Sequence, residues 1–425
     1  MILRIFLLRY QCLLFKKGMA DLDIIFTTIY SNNKLGVTAP FIELLAKNNA
    51  IILDINQTST HNSLSLEILF SAHKDECKDV LYNLSSKADN IDACIKFVPI
   101  NKKESNNWLD NKNKNRYIIT LLGKKLTAKQ IVSVTNLIDK QGIKVDNIVR
   151  LTDTTALDTN RDKNNSSIEL HISGSNINKK EIQKKLIKLS AKHNIDISFQ
   201  QNNIFRAMRR VICFDMDSTL IQTEVIDELA IRAGMGNKVK KITELAMQGK
   251  IDFEESFKQR VKLLKNLNVS VMEEIAKNLP VTEGLERLMS ILKKLGYKTA
   301  ILSGGFTYFA NHLKDKYQFD YVYANNLEIK DGHLTGNYID PIIDAKKKAE
   351  LLKQIAQNEK IDIRQTIAVG DGANDLLMLE AAGLGIAYNA KPKVIEAAET
   401  SLSNVGIDGI LYFLGYKDSM LNNQL

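Results

Sequence analysis

The sequence predicts an α/β protein in three parts: two small βαββαβ units, then a parallel sheet covered on both faces and carrying a helical insertion. Three observations predict it. The order strand–helix–strand–strand–helix–strand runs twice through the first half, in roughly 80 residues each time, and such internal repetition is a strong organisational signal. Beyond residue 208 strands and helices alternate singly, the order of a parallel sheet. The strands of this last part are short apolar runs, as a sheet buried on both faces requires.

The 425 residues allow two to four domains, and 44% hydrophobic with 25% charged residues is an ordinary globular balance. The net charge of +9, from 58 basic and 49 acidic residues, sits largely in mixed runs such as NKNKNR and RDKNN. These read as solvated surface, and no basic stripe is interleaved with aromatics, so no nucleic-acid partner is expected. Cys12, Cys77, Cys94 and Cys213 form no CxxC pair and have no metal spacing with histidine, which fits a reduced, cytoplasmic setting. The opening MILRIFLLRYQCLLFKKGMADLD is broken by Arg9 and lacks a small-residue cleavage site, so residues 1–21 read as an over-extended start, with Met19 an alternative to Met1. No 18-residue apolar run occurs, and no membrane association is expected.

The first unit spans residues 22–100: LDIIFTTIYS as strand, GVTAPFIELLAKNN as helix, AIILDINQTST and SLSLEILFSA as strands about a turn at His61 and Asn62, KDECKDVLYNLSSKA as helix, IDACIKFVPI as strand. After the polar linker NKKESNNWLDNKNKN, residues 116–202 repeat the order with RYIITLLG, TAKQIVSVTNLIDKQG, KVDNIVRLTD, SIELHISG, NKKEIQKKLIKLSAKHN and IDISFQQNN. The implied fold is a ferredoxin-like sheet with helices on one face. In element order and length each unit resembles the ACT domain. That resemblance implies either an amino-acid effector site or a scaffolding and homodimerisation role. Gly36 and Gly123, just after the first strands, stand where such ligands approach the backbone.

The third part covers residues 208–425, with strands VICFDM, KTAILSGG, YVYANN and TIAVGDGAND. Ligands of such sheets bind at the carboxyl ends of strands. Asp215 and Asp217 stand at one such end, two residues apart and so on one face, where their charges repel and burial strips their water. Asp371 and Asp375 follow another strand. Four converging carboxylates require a cation, and Mg²⁺ prefers hard oxygen ligands. Ser303, Thr219, Asn374 and a lysine of DAKKKAELL suit a phosphate, with Gly304 and Gly305 freeing backbone N–H groups. A carboxylate beside a metal can accept a phosphoryl group, and a second acid can protonate the leaving oxygen.

DMDST, SGGF, the lysine of KKKAELL and GDGAND, in that order, resemble the four motifs of the haloacid dehalogenase-like phosphatases. DMDSTLIQTEVIDELA, ITELAMQGKIDFEESFKQRV, LSGGFTYF and VGDGANDLLMLEAAGLGIAY resemble most closely the phosphoserine phosphatase branch, over about residues 210–415. The expected architecture is therefore a Rossmann-like sheet with a helical cap at residues 224–280. The resemblance implies Asp215 as nucleophile, Asp217 as general acid and base, and Mg²⁺ on Asp215, the Asp217 carbonyl and Asp371, with Asp375 supporting. It implies Ser303, Gly304 and Asn374 on the phosphoryl group, and Lys348 as the motif lysine, with Lys346 the competing candidate. In the cap it implies Glu224 on the ammonium and Arg260 on the carboxylate of O-phosphoserine, under an apolar lid of Met247 and Phe253. Read singly, Glu224 fits a helix cap, Arg260 a surface cation, and Met247 and Phe253 a bundle core. The implied activity is phosphoserine hydrolysis, the last step of serine biosynthesis. The rivals are another small phosphate ester as substrate, or an amino-acid-binding regulator with a vestigial phosphatase half.

Overall fold

The computed structural model describes residues 24–32, 36–101, 115–153, 165–175, 177–247, 250–398 and 400–421. The proposed over-extended start and Cys12 lie outside them. The chain forms two compact units, residues 1–114 and 115–425.

In the first unit the strands are β1 (Ile24–Asn32), β2 (Ile51–Thr60), β3 (Ser63–Ser71) and β4 (Cys94–Ile100), in the antiparallel order β2-β3-β1-β4. Helices Thr38–Lys47 and Cys77–Asn90 supply apolar residues at helical spacing, among them Phe41 and Leu45, and Val80 and Leu84. They bury these against Ile25, Ile29, Leu66 and Phe70 of the sheet. Gly36 adopts φ +82° with open space where a Cβ would stand.

Residues 115–201 repeat this topology with β5 (Asn115–Gly123), β6 (Lys144–Arg150), β7 (Ser166–Gly174) and β8 (Asp196–Gln201), ordered β6-β7-β5-β8. Helix Ala128–Lys140 starts at a Thr127/Gln130 capping box, and helix Lys179–His193 at Asn178, whose side chain accepts from the Glu181 N–H. A Cβ on Gly123 would lie 3.2 Å from Ile195 Cγ2, so core packing occupies the space beside it.

This second sheet does not end at β8. The remaining strands are β9 (Val211–Phe214), β10 (Lys298–Phe306), β11 (Tyr321–Lys330), β12 (His333–Ile339), β13 (Thr366–Gly370), β14 (Leu384–Tyr388) and β15 (Thr400–Leu402). β15 pairs antiparallel with β8 at Thr400 and Ser198, giving one eleven-stranded sheet, β12-β11-β10-β9-β13-β14-β15-β8-β5-β7-β6. The expected parallel sheet is thus the central part of a mixed one: β11, β10, β9, β13, β14 and β15 run parallel in that order, and antiparallel pairs flank them. β9 is buried throughout; Ile212 and Phe214 enter one core and Val211 and Cys213 the other, the two-residue period of a sheet covered on both faces.

Between β9 and β10 the chain forms the cap helices Val225–Arg232, Gly236–Met247, Phe253–Lys262 and Ser270–Lys277, closed at their base by a bridge between Ile221 and Val281. Cys77 and Cys213 are buried and Cys94 is exposed. Among the described residues no helix is long and apolar enough to cross a membrane.

Candidate active site

Three parallel strands deliver the site. β9 lies between β10 and β13, and the Asp215 N–H still donates to Val369 O at 2.9 Å, so Asp215 is held in sheet register. The backbone then breaks away: Ser218 takes φ +58°, and the N–H groups of Leu220 and Ile221 turn back to Met216 O. β13 ends at Gly370, and Asp371 and Asp375 sit on the turn leading into helix Leu376–Ala381. Both acids thus follow the strand end, as the sequence predicts, and the turn is what lets both carboxylates point back at β9. A Cβ on Gly370 would fall 2.4 Å from Asp375 Cγ, so only glycine allows this approach.

Asp215, Asp371 and Asp375 bring carboxylate oxygens within 4.8 Å of one another. Lys348 is 0% exposed and donates from Nζ to Asp215 Oδ1 and to Asp375 Oδ1, each at 2.7 Å. It projects from helix Ala345–Asn358, whose N-terminus is capped by Asp344. Lys346 on the same turn is exposed, and Lys347 pairs with Glu350.

One lysine does not balance these acids. Burial, then the Asp375 charge, pushes Asp215 up to about 8 against the pull of Lys348. Burial with Asp375 and Glu224 pushes Asp371 up to about 7. Asp217 is driven well above the usual carboxylate range by burial, Glu224 and Asp215. Burial opposes the Lys348 charge, but Asp215 and Asp375 more than offset it and raise its pKa. An all-oxygen anionic donor set with a residual excess of negative charge fits a hard divalent cation.

Asp217 is turned away from that trio. Its Oδ1 accepts from the Val225 N–H at 3.0 Å, and its Oδ2 stands 2.3 Å from the place a Gly305 Cβ would take. Glycine at 305 is therefore required by the acid beside it. The Gly305 N–H donates to Ser303 Oγ at 2.9 Å. Thr219 Oγ1 donates to Asp371 Oδ1 at 3.3 Å, and the Asn374 side chain folds over Gly372.

The cap closes on this loop from above. A Cβ on Gly304 would lie 3.3 Å from Phe253 Cζ. Phe253 stacks on Phe257, which is buried against Phe306 and Tyr338. Glu224 occupies the N-cap position of helix Val225–Arg232 but makes no cap bond; it accepts instead from Ser218 Oγ at 3.0 Å. Arg260 is half-buried, which lowers its pKa, while the charges of Glu224, Asp227 and Asp217 oppose that effect. The Met247 side chain lies outside the described residues.

Known families account for most of the chain. Residues 209–383 match the haloacid dehalogenase-like hydrolase family, and residues 23–98 and 116–200 each match ACT domain families. The phosphoserine phosphatase of Streptomyces coelicolor is 33% identical over 93% of this chain and 93% of its own length. Phosphoserine phosphatase SerB2 of Mycobacterium tuberculosis is 34% identical over 91% and 92% respectively. The chain belongs to the phosphoserine phosphatase family. A crystal structure of a probable phosphoserine phosphatase from Vibrio cholerae superposes with a TM-score of 0.55 at 31% identity, over 72% of this chain and 89% of the other.

Within this phosphoserine phosphatase fold, Asp215, Asp217, Asp371, Asp375, Lys348, Ser303 and Gly304 gather at one end of the sheet, with Glu224, Arg260 and Phe253 on the cap side. Two residues escaped the sequence reading. Asn325, 1% exposed, donates from Nδ2 to Gly304 O at 2.8 Å and accepts from the Ile343 N–H at 2.8 Å, so it fixes the glycine loop. An amide in an apolar strand run was the available signal. Asp227 adds a third acid near Arg260, and nothing in its helical spacing distinguished it.

Proposed function

We propose that this chain hydrolyses O-phospho-L-serine to L-serine and phosphate through an aspartyl-phosphate on Asp215, as the last step of serine biosynthesis. The observation carrying this reading is the fully buried Lys348 bridging Asp215 and Asp375, with Asp217 beside them but outside the trio. Lys348 holds Asp215 in place and offsets charge on the phosphoryl oxygens. Asp215 attacks phosphorus and the serine oxygen leaves. The raised proton affinity of Asp217 suits it to protonate that oxygen and then to take a proton from the attacking water. Ser303, the Gly304 backbone and Asn374 hold the phosphoryl oxygens.

Mg²⁺ is the proposed cation, held by Asp215, the Asp217 carbonyl and Asp371 with Asp375 supporting, and it supplies positive charge at the transferring phosphoryl group. Arg260 offers a planar fork for the substrate carboxylate and Glu224 a partner for the ammonium. Phe253 and Met247 exclude water above them. The ACT domains take an amino-acid effector or join two copies, and the enzyme works in the cytoplasm.

The test is phosphate release from O-phosphoserine by wild type and Asp215→Asn. A loss of at least about a thousandfold with unchanged circular dichroism is expected for a missing nucleophile. Near-normal turnover in the variant ends the assignment. Arg260→Ala is expected to raise KM for phosphoserine while leaving hydrolysis of an aryl phosphate that lacks a carboxylate and an ammonium group nearly unchanged; equal losses on both point to another ester as substrate. Chelation by EDTA should silence the enzyme and Mg²⁺ restore it.

A further inference from the structure

A cleft of ≈590 Å³ lies between helix Lys179–His193 and β8 on one side and residues 379–383 and 396–398 of the catalytic half on the other. Asp215, Asp217, Asp371, Asp375 and Lys348 do not line it. Six cationic side chains do, Lys179, Lys180, Lys184, Arg206, Arg209 and Arg364, against two acids, Glu380 and Glu396. In the sequence these cations are dispersed over 186 positions' worth of unremarkable Lys-rich and Arg-rich runs, from residue 179 to residue 364, and each reads as solvated surface. The fold collects them.

Several are fixed. Arg364 is held by Asp362 through Nε at 2.9 Å and Nη2 at 2.7 Å, and its guanidinium carbon stands 3.7 Å from the Phe205 ring centroid. Arg206 is pinned by Glu169, and Arg209 is only 3% exposed. A guanidinium held this way keeps its charge and presents a defined edge, with little further ordering needed on binding. Lys180 and Lys184 lie one turn apart on the exposed side of helix Lys179–His193, near its positive N-terminal end. Gln183 Nε2 donates to Ala398 O at 3.1 Å and ties the two walls together, while Ile187 and Leu379 give the lining an apolar part. Like charges gathered in a concave, partly apolar site focus a positive potential there. The volume lies within the range of small-molecule sites.

We propose that this cleft binds a small polyanion, a phosphorylated metabolite carrying at least two negative charges on a partly apolar body. It is separate from the substrate site and joins the second ACT domain to the catalytic half. The probe is inorganic tripolyphosphate, titrated calorimetrically into the full chain without added divalent cation. Wild type and Asp215→Asn are expected to bind it alike, with affinity falling as salt rises. The double variant Lys180→Glu/Lys184→Glu should bind at least tenfold more weakly yet hydrolyse phosphoserine at the wild-type rate, since both lysines are exposed and remote from the acids. Undiminished binding in the double variant overturns the proposal. So does tighter binding in Asp215→Asn, which puts the anion at the catalytic cluster because removing a negative charge there favours an anion, and so does an absence of binding at low ionic strength.

Discussion

The two ACT domains share one topology and one register, yet one keeps its own sheet and the other is built into the catalytic sheet. Glu67 on β3 faces Thr28, and Glu169 on β7 faces Thr120, at matching positions. Glu67 is half-buried with Asn56 as its partner. Glu169 is 4% exposed and paired with Arg206 and His171. On the edge strands, Cys94 and Val98 of β4 correspond in register to Asp196 and Gln200 of β8. The first pair is exposed; the second is buried and bonded to the catalytic half. An identical hydrophobic pattern toward the helices thus sets the fold, and the chemistry of the opposite face sets what the sheet joins.

The largest expected effect follows from the glutamates. Glu169→Ala leaves the Arg206 guanidinium in a largely buried position without its carboxylate, and breaking such a pair from one side costs about 3–5 kcal/mol. Glu67→Ala removes a half-exposed group and should cost no more than about 0.5 kcal/mol. Urea unfolding of the full-length variants measures both. Equal losses would mean that the two domains are equally embedded.

The helix-facing half of this difference was legible. Ile195, Ile197 and Phe199 alternate along IDISFQ and mark a core face, as Ile25 and Ile29 do in β1. The other face was not legible. The polarity of Asp196, Ser198 and Gln200 does not by itself distinguish water from a polar protein partner. Their partners lie some 200 residues later in the chain: Thr400 for Ser198, the Ser403 and Asn404 N–H groups for Asp196, and Phe413 O for Gln200. β14 and β15 escaped for a related reason: LGIAY and TSL are too short for periodicity to mark. The acid site was far more legible, since its residues follow strand ends, whereas Asn325 and Asp227 act through neighbours that only the fold supplies.

Asp196 gives a second, pH-dependent contrast. Burial pushes it up to about 6, against the hydrogen bonds from Ser403 and Asn404. The folded chain therefore holds this proton below about 6, and the unfolded chain only near the ordinary carboxylate value. Between those limits the folded state binds more protons, so this group's contribution to stability grows as pH falls and shrinks as pH rises through 6. The difference in unfolding free energy between wild type and Asp196→Asn should accordingly move in favour of wild type on going from pH 7 to pH 4, by at most about 3 kcal/mol. A flat difference would mean that the three donors keep the carboxylate charged.

Gln200 and Val98 provide the smallest contrast and the most local one. Gln200 Nε2 donates to Phe413 O at 2.9 Å and to Ser198 Oγ at 2.7 Å, across the line where β8 meets the catalytic half. Truncation to Ala leaves that carbonyl without this donor in a dry setting, which costs about 1–2 kcal/mol. Val98 is 36% exposed and its truncation forfeits only part of one side chain's burial, below about 1 kcal/mol. Double-mutant cycles sharpen the comparison: Gln200→Ala combined with Ser198→Ala should fall short of additivity, because both touch the same network. Val98→Ala should add cleanly to either, since its side chain is exposed and apolar and belongs to no hydrogen-bond network. Additivity throughout would reduce the junction to independent contacts, and the continuous sheet would then join the two halves without coupling them.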